Sequence, residues 1–463
     1  MSGQDTPELP DARRPRSAAS AARVRDVLLT LWRDCRADWS FVTGRLAQAF
    51  RDARQLHSSE RREVAETLYG MVRRARTTDF ALAAAGLPTP PEGTHRSASR
   101  AYVDLLAYRL LFEDLPLPHA RAEHPDIPWD AVLAAHAALL AAPAPADDPV
   151  ARFALVHSLP DWIAARLLAE RPHDADAFAA SLNARAPLTV RANRLKTTRA
   201  ELATRLRLEG LATEPTRWAP DGLHLLTRVN VFGLGAFKDG LFEVQDEASQ
   251  LAAELVAPPA RGLVIDACAG AGGKTLALGA LMGSKGRLLA LDVAPKKLDE
   301  LSRRARRAGL SNHRWQPIPE TGPLPPEVAR LAGQADRVLV DAPCSGVGAM
   351  RRNPEARWRL SPDFAASLPA TQLEIALRAA TLVAPGGRLI YATCTTFDAE
   401  NEAVVRALLA AAPHFERVPV KEILGKARAA DLATADGFAL APLPHVHGMD
   451  GFYATVLRRR REP

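Results

Sequence analysis

Two cysteines carry the most specific chemistry in the sequence. Cys344 stands in Asp-Ala-Pro-Cys-Ser-Gly and Cys394 in Ala-Thr-Cys-Thr-Thr. Each lies at the end of an apolar run of strand length, Arg337–Val340 and Gly387–Cys394, with polar neighbours. A lone buried cysteine is ordinarily a small hydrophobe. Two at strand ends suit nucleophilic chemistry better, and Cys394 precedes a helix expected from Asp398 to Ala410 whose N-terminus would favour a thiolate. Three aspartates, Asp266, Asp292 and Asp341, end apolar runs in the same way. The four cysteines (Cys35, Cys268, Cys344, Cys394) include no Cys-x-x-Cys pair, so neither a disulfide framework nor a metal site is expected.

The first of these runs opens Leu263–Thr275, LVIDACAGAGGKT. It reads as a short buried strand, a turn at Gly270, Gly272 and Gly273, and the start of a helix. A P-loop would need glycine where Cys268 stands, and a dinucleotide turn would need it at Thr275. The next run, Gly286–Val293, ends in Asp292, about 20 residues past the turn, where a carboxylate can hold both hydroxyls of a ribose. A ligand with a ribose and no need of a phosphate cradle fits, and S-adenosylmethionine is such a ligand. The alternative is an ordinary glycine turn. Beside a methyl donor a thiolate has a defined use. Added to carbon 6 of cytosine, it makes carbon 5 enamine-like and able to attack a sulfonium methyl; loss of the carbon-5 proton and of the thiolate restores the ring. Asp341 could hold N3, where negative charge develops, or simply cap the turn after it. This chemistry allows either cysteine as nucleophile.

These residues need a frame. Strands alternate with helices from residue 241 onward, which predicts an α/β fold with a doubly wound parallel sheet and a ligand at the carboxyl ends of its strands. Leu241–Val256 reads as a helix entered through Asp246, Pro295–Ala308 as a charged helix, and Phe364–Val383 as a helix ending at Pro385-Gly386-Gly387. The third strand falls in NHRWQPIPETGPLPP, which prolines crowd. FERVPV and FYATVLRRR read as weaker strands at the end. Ahead of this domain, 146–240 reads as linker helices and a small α/β subdomain. On its strand Arg191, Asn193 and Lys196 share a face that could grip phosphates or be the wet face of a small sheet. Residues 21–145 read as an all-helical, arginine-rich domain, with Arg61, Arg62, Arg73, Arg74 and Arg76 forming either a solvated face or an RNA surface. A polar tail, 1–20, precedes it, and APAPADDP (Ala142–Pro149) is the linker between it and the rest of the chain.

The chain has 463 residues, enough for two or three domains, and 47% hydrophobic residues. Its net charge of +7, with a pI near 9.5, favours a polyanionic partner. No apolar run is long enough to cross a membrane, so a soluble, cytoplasmic protein is expected, without membrane or metal partners and as a monomer.

The stretches DACAGAGGKT, DAPCSGVG with the adjoining RRNPEARW, ATCT, and the flanking VRANRLK, FEVQDEASQL and HGMDGFYATVL resemble the RNA cytosine-5 methyltransferases of the RsmB/Nop family. They cover about Ser158–Leu457. SSERREVAETLYGMVRRARTTDF resembles, less specifically, the NusB-like domain of bacterial ribosomal members. The resemblance implies a class I methyltransferase (Rossmann-like) sheet behind a small α/β subdomain and a NusB-like domain. It implies S-adenosylmethionine as cofactor and RNA, small-subunit ribosomal RNA first, as substrate. It makes Cys394 the nucleophile and Cys344 the residue assisting product release. Cofactor contacts carry over to Cys268, Ala269, Gly270, Ala271, Gly272, Gly273 and Lys274, and to Asp292 and Asp341, with Lys274 in reach of the target base. Arg191, Asn193, Lys196, Arg352 and Trp358 are the expected RNA contacts. The sequence departs from the family pattern in Gly270-Ala271, in Thr-Cys-Thr, and after the third strand. There Trp315, Gln316, Pro317 and Ile318, with Glu320 further on, stand where the family carries an acid. Two other readings remain: a non-catalytic RNA-binding assembly factor, and a cytosine methyltransferase of tRNA or DNA.

Overall fold

The structure is a computed structural model that describes residues 18–40, 42–91, 93–141 and 148–461. The chain divides between Leu159 and Pro160 into two compact units. In the first, the described secondary structure is all helical: Ala18–Ala37, Val42–Asp52, Ser58–Ala84, Ala98–Phe112, Leu117–Glu123, Trp129–Ala141 and Pro149–His157. The first helix begins inside the stretch expected as tail; residues 1–17 and 142–147 lie outside the described ones. The longest helix starts at a capping box, in which the Glu60 carboxylate accepts from the His57 N–H at 2.7 Å. Its arginines are drawn inward. Arg61 donates to the Leu56 carbonyl, Arg74 lies 4.8 Å over the Phe112 ring, and Arg76 donates to the Leu159 carbonyl. Arg62 is the exposed member of that set.

The second unit holds two sheets. Strands β1 (Leu188–Ala192), β2 (Thr213–Pro215), β3 (Gly222–Leu225) and β4 (Phe242–Val244) form an antiparallel sheet ordered β2-β3-β1-β4. β4 corrects the helix expected over Leu241–Val256. Phe242 lies opposite Ala192 of β1, and the helix begins only at Glu247, where the Asp246 side chain accepts the Ala248 N–H at 2.9 Å.

The larger sheet contains β5 (Leu263–Asp266), β6 (Arg287–Asp292), β7 (His313–Pro317), β8 (Ala335–Asp341), β9 (Val383–Thr393), β10 (Phe415–Val418), β11 (Ala439–Leu440) and β12 (Tyr453–Arg459). Their order is β10-β12-β9-β8-β5-β6-β7, with β11 added to β12. β5 to β9 are parallel, and β12 runs antiparallel between β9 and β10. Alternate residues bury opposite faces. Val264, Leu339 and Ile390 join one core, and Ile265, Val338 and Tyr391 the other. The order reverses beside β5, which opens a crevice at the carboxyl ends of β5 and β8. β7 forms despite the prolines because it is an edge strand and Pro317 is its last residue. The helix expected over Phe364–Val383 runs from Pro362 to Ala380, and β9 starts at Val383, before the Pro-Gly-Gly expected to separate the two. Val383 pairs with Ala335, then the register shifts before Arg388 meets Arg337; Gly386, at φ +80°, allows that irregularity.

Candidate active site

The glycine turn sits at the mouth of the crevice. Gly270 and Gly272 have φ of +53° and +87°, in the left-handed region that only glycine enters freely. At Gly272 a Cβ would also lie 2.6 Å from Leu301 of the helix Pro295–Ala308. The helix after the turn, Gly273–Leu281, thus starts tightly against its neighbour. Asp292, at the tip of β6, accepts the Gly270 N–H at 2.7 Å on one oxygen and the Ala294 N–H at 2.8 Å on the other. A carboxylate oxygen has two lone pairs, so each retains capacity for a ligand hydroxyl. Gln245 donates to the Gly273 carbonyl at 3.3 Å, and Arg304 to the Ala271 carbonyl at 2.7 Å, so the small sheet and the charged helix both brace the turn.

Below the turn, Asp266 is fully buried and accepts from the Thr275 hydroxyl at 2.7 Å, while its Oδ1 has no partner. Burial pushes its carboxyl up to about 7, opposed by the Thr275 hydrogen bond and reinforced by the Asp341 charge. The folded state therefore keeps a proton that the unfolded chain releases near pH 4, and stability falls as pH rises from about 4 to about 7. The shift corresponds to a loss of about 4 kcal/mol across that window. Asp266→Asn, which still accepts from Thr275, is expected to flatten this slope. Urea unfolding at pH 5 and pH 8 measures it, and equal slopes in both proteins would count against the assignment. Burial also drives the Cys268 thiol far up, helped by Asp266, Asp341 and Asp292, so Cys268 is a neutral lining group.

The two cysteines singled out by sequence meet. Cys344 Sγ and Cys394 Sγ are 3.4 Å apart, although 50 residues separate them. Beside them Lys274 Nζ donates to Asp341 Oδ2 at 2.7 Å and stands 4.8 Å over the Phe452 ring. Burial alone would push the lysine down, but the Asp341 charge and hydrogen bond raise it above the usual range. The Cys344 thiol is pushed well up, first by its contact with Cys394 and then by burial. The loop after β8 is stitched from both sides: the Gly348 N–H donates to the Cys394 carbonyl, and the Gly451 N–H to the Gly348 carbonyl. A Cβ on Gly348 would lie 2.0 Å from the Gly451 oxygen, so the HGMDGF stretch closes on this loop only because both residues are glycine. One expectation fails. No helix N-terminus abuts Cys394, because the turn Asp398–Glu400 intervenes and the α-helix starts at Glu402.

The residues expected to contact RNA are largely engaged within the protein. Arg191 and Asn193 are buried because β1 is a central strand of its sheet, facing the larger sheet's helices. Arg191 donates to Gln245, and Asn193 to the carbonyls of Gly240 and Ala308. Lys196 is exposed along its stem, yet its ammonium donates to the carbonyls of Asp239 and Arg307. These residues join the small sheet to the layer of the larger one. Arg352 is ion-paired with Asp246 and Asp450, and Trp358 is half-buried. Sequence reasoning missed Asp450, which binds both Arg351 and Arg352, and the buried Glu400 and Gln372 beneath Cys344. Asp450 lies inside the HGMDGFY stretch, so its position was visible though its task was not.

A family model described as 16S rRNA methyltransferase RsmB/F matches residues 253–458, and one for the RsmF/B-like ferredoxin-like domain matches 159–232. A Bacillus subtilis protein named probable ribosomal RNA small subunit methyltransferase B is 34% identical over 323 residues, 68% of this chain and 69% of its own. This chain belongs to the RsmB/F methyltransferase family. A second RsmB/F relative, the Synechocystis protein of the same name, is 32% identical over 65% of this chain and 67% of its own. The fold is also that of a methyltransferase homologue from Pyrococcus horikoshii, with a TM-score of 0.57 at 24% identity over 67% of this chain and 99% of that one. Among the described residues no helix is long and apolar enough to cross a membrane, and no cluster suits a metal ion.

Proposed function

We propose that this RsmB/F protein transfers the methyl group of S-adenosylmethionine to carbon 5 of a cytidine in small-subunit ribosomal RNA, through a covalent bond to Cys394. The observation that carries the reading is the meeting of two thiols, 3.4 Å apart, beside the ion pair of buried Lys274 with half-buried Asp341 at the mouth of a glycine turn. The ribosomal substrate rests on the relatives' names and on the basic charge of the chain.

The residues present fit the cofactor. The positive-φ turn at Gly270 and Gly272 lets backbone approach a ligand, and Asp292 keeps acceptor capacity for two ribose hydroxyls. When bound, S-adenosylmethionine supplies an electrophilic methyl group. The chain supplies the rest. Cys394 adds to carbon 6 of a base that has left its stack. Negative charge then develops on the ring at N3 and O2, where the Lys274–Asp341 pair offers a buried ammonium and a carboxylate to hold protons and charge. Carbon 5, now enamine-like, takes the methyl group. Its proton then passes to solvent, the C–H electron pair restores the double bond between carbons 5 and 6, and the carbon–sulfur bond breaks with its electron pair returning to Cys394. Cys344 assists that release. Asp341, 2.7 Å from the Lys274 ammonium, acts with it as one unit.

Labelled methyl transfer to unmethylated small-subunit ribosomal RNA, with bisulfite mapping, tests the proposal. A single protected cytosine is the expected result. Transfer to tRNA or DNA instead would keep the chemistry and overturn the substrate; RNA binding without any transfer would favour an assembly factor. Asp292→Ala is expected to weaken cofactor binding about 10- to 100-fold, the loss of charged hydrogen bonds worth about 1.5–3 kcal/mol, as read by calorimetric titration. Unchanged affinity would remove Asp292 from the site.

A further inference from the structure

The turn that carries Cys344 rests on a carboxylate for which methyl transfer has no stated use. Glu400 is fully buried, and its Oε2 accepts from the Ser345 N–H at 2.8 Å and from Gln372 Nε2 at 2.9 Å. The same Gln372 nitrogen donates to the Pro343 carbonyl at 2.9 Å. Ser345 Oγ meets Thr395 Oγ1 at 2.8 Å, and the Tyr391 hydroxyl donates to the Glu400 carbonyl at 2.6 Å. Both neighbours of Cys344 are therefore fixed by Glu400 or by its partner. The second carboxylate oxygen, Oε1, is buried without a hydrogen-bond partner. The donors that reach this carboxylate are neutral amides.

We propose that Glu400 is the positioning residue that gives the two thiols different roles: it fixes the Pro343-Cys344-Ser345 turn, and its charge keeps the proton on Cys344, leaving Cys394 as the nucleophile. The inference rests on the reading that Cys394 adds to the base. A buried carboxylate disfavours a second negative charge nearby. The groups facing Cys344 agree with this. Cys394 lies directly beyond β9, and Tyr391 on β9 is held neutral by burial, which raises its phenol far above the usual range. Gln372, on the helix Pro362–Ala380, is neutral. Glu400 comes shortly after β9 and adds its charge to the effects of the Cys394 contact and of burial on Cys344. The nearby cation, Lys274, comes from the helix Gly273–Leu281, pairs with Asp341 and interacts with Cys394. The two sulfurs thus have different charged neighbours, the Lys274–Asp341 pair for Cys394 and Glu400 for Cys344.

The test is iodoacetamide alkylation of the full-length protein from pH 6 to pH 10, without RNA or cofactor, with each cysteine followed by peptide mass spectrometry. In the unmodified sequence Cys344 is expected to react more slowly than Cys394 at neutral pH. In Glu400→Gln, which keeps an acceptor for the Ser345 N–H, the Cys344 rate at neutral pH is expected to rise about tenfold. Unchanged Cys344 profiles in a folded Glu400→Gln protein would reduce Glu400 to a structural brace and overturn the proposal. So would faster reaction of Cys344 than of Cys394 in the unmodified protein, a result that does not depend on the variant folding. Because neither RNA nor methyl transfer enters this measurement, its failure is distinct from failure of the nucleophile assignment, which trapping on 5-azacytidine RNA reads directly.

Discussion

Cys394→Ala is expected to lose methyl transfer by on the order of 10⁴-fold or more and to form no covalent complex with RNA, since the step that activates carbon 5 is gone. Cys344→Ala is expected to behave in the opposite way, gathering protein bound covalently to RNA because release stalls. Denaturing gels of enzyme, RNA and cofactor separate the two outcomes, and a 5-azacytidine substrate strengthens the signal. The division of labour rests on geometry that favours it. The sulfurs are in contact, so one methylated base can be reached by both. An adduct that survives Cys394→Ala would exchange the two roles, and equal, adduct-free loss in both variants would end the covalent reading.

Asp450→Ala is expected to destabilise the second unit by about 3–5 kcal/mol, the cost of leaving a buried ion without its partner. Asp450 accepts from Arg351 at 2.7 Å and is also paired with Arg352, and both Arg351 and Asp450 are buried. Asp246 would still hold Arg352, and the Gly448 carbonyl would still accept from Arg351, but the buried carboxylate between the two arginines would be gone. Replacing Arg351 and Asp450 together by Met and Leu removes the buried charge along with its partner, and most of the stability should return. Urea unfolding of the three proteins checks this. A loss below about 1 kcal/mol in the single variant would mean that water reaches Arg351. The same substitution should also slow methyl transfer, because the Asp450 segment carries Gly451 and Phe452 against Gly348 and Lys274.

The sequence by itself determined the chemical inventory and the frame. The run LVID ahead of three glycines, with Asp292 about 20 residues on, predicted a strand, a ligand turn and a ribose acid, because those residue types have few other uses at that spacing. Short apolar runs alternating with amphipathic helices predicted the parallel sheet, and β5, β6, β8 and β9 lie where they were expected to within a few residues, the early start of β9 apart. Local pattern misled where tertiary pairing overrode it. Phe242–Val244 continues a helical pattern but pairs with β1, and Val383 continues a helix in sequence but is claimed by Ala335. The alternation of Arg191 and Asn193 placed them on one strand face, but nothing local says whether that face meets water or a second layer; only the packed sheet turned them into internal fasteners.

What only the tertiary structure decided is distance across the crevice. Cys344 and Cys394 lie just past the ends of neighbouring strands, yet sequence says nothing of whether their sulfurs meet. Lys274 and Asp341 lie 67 residues apart and become an ion pair because β5 and β8 are adjacent. Glu400 falls within the helix expected from Asp398 to Ala410, and its burial beneath Cys344 appears only when the strand end, the helix Pro362–Ala380 and the turn Asp398–Glu400 converge. The physical reason is common to all three. Residue type and spacing fix what a group can do, but its proton and its partners depend on the charges and solvent around it, and those belong to the fold.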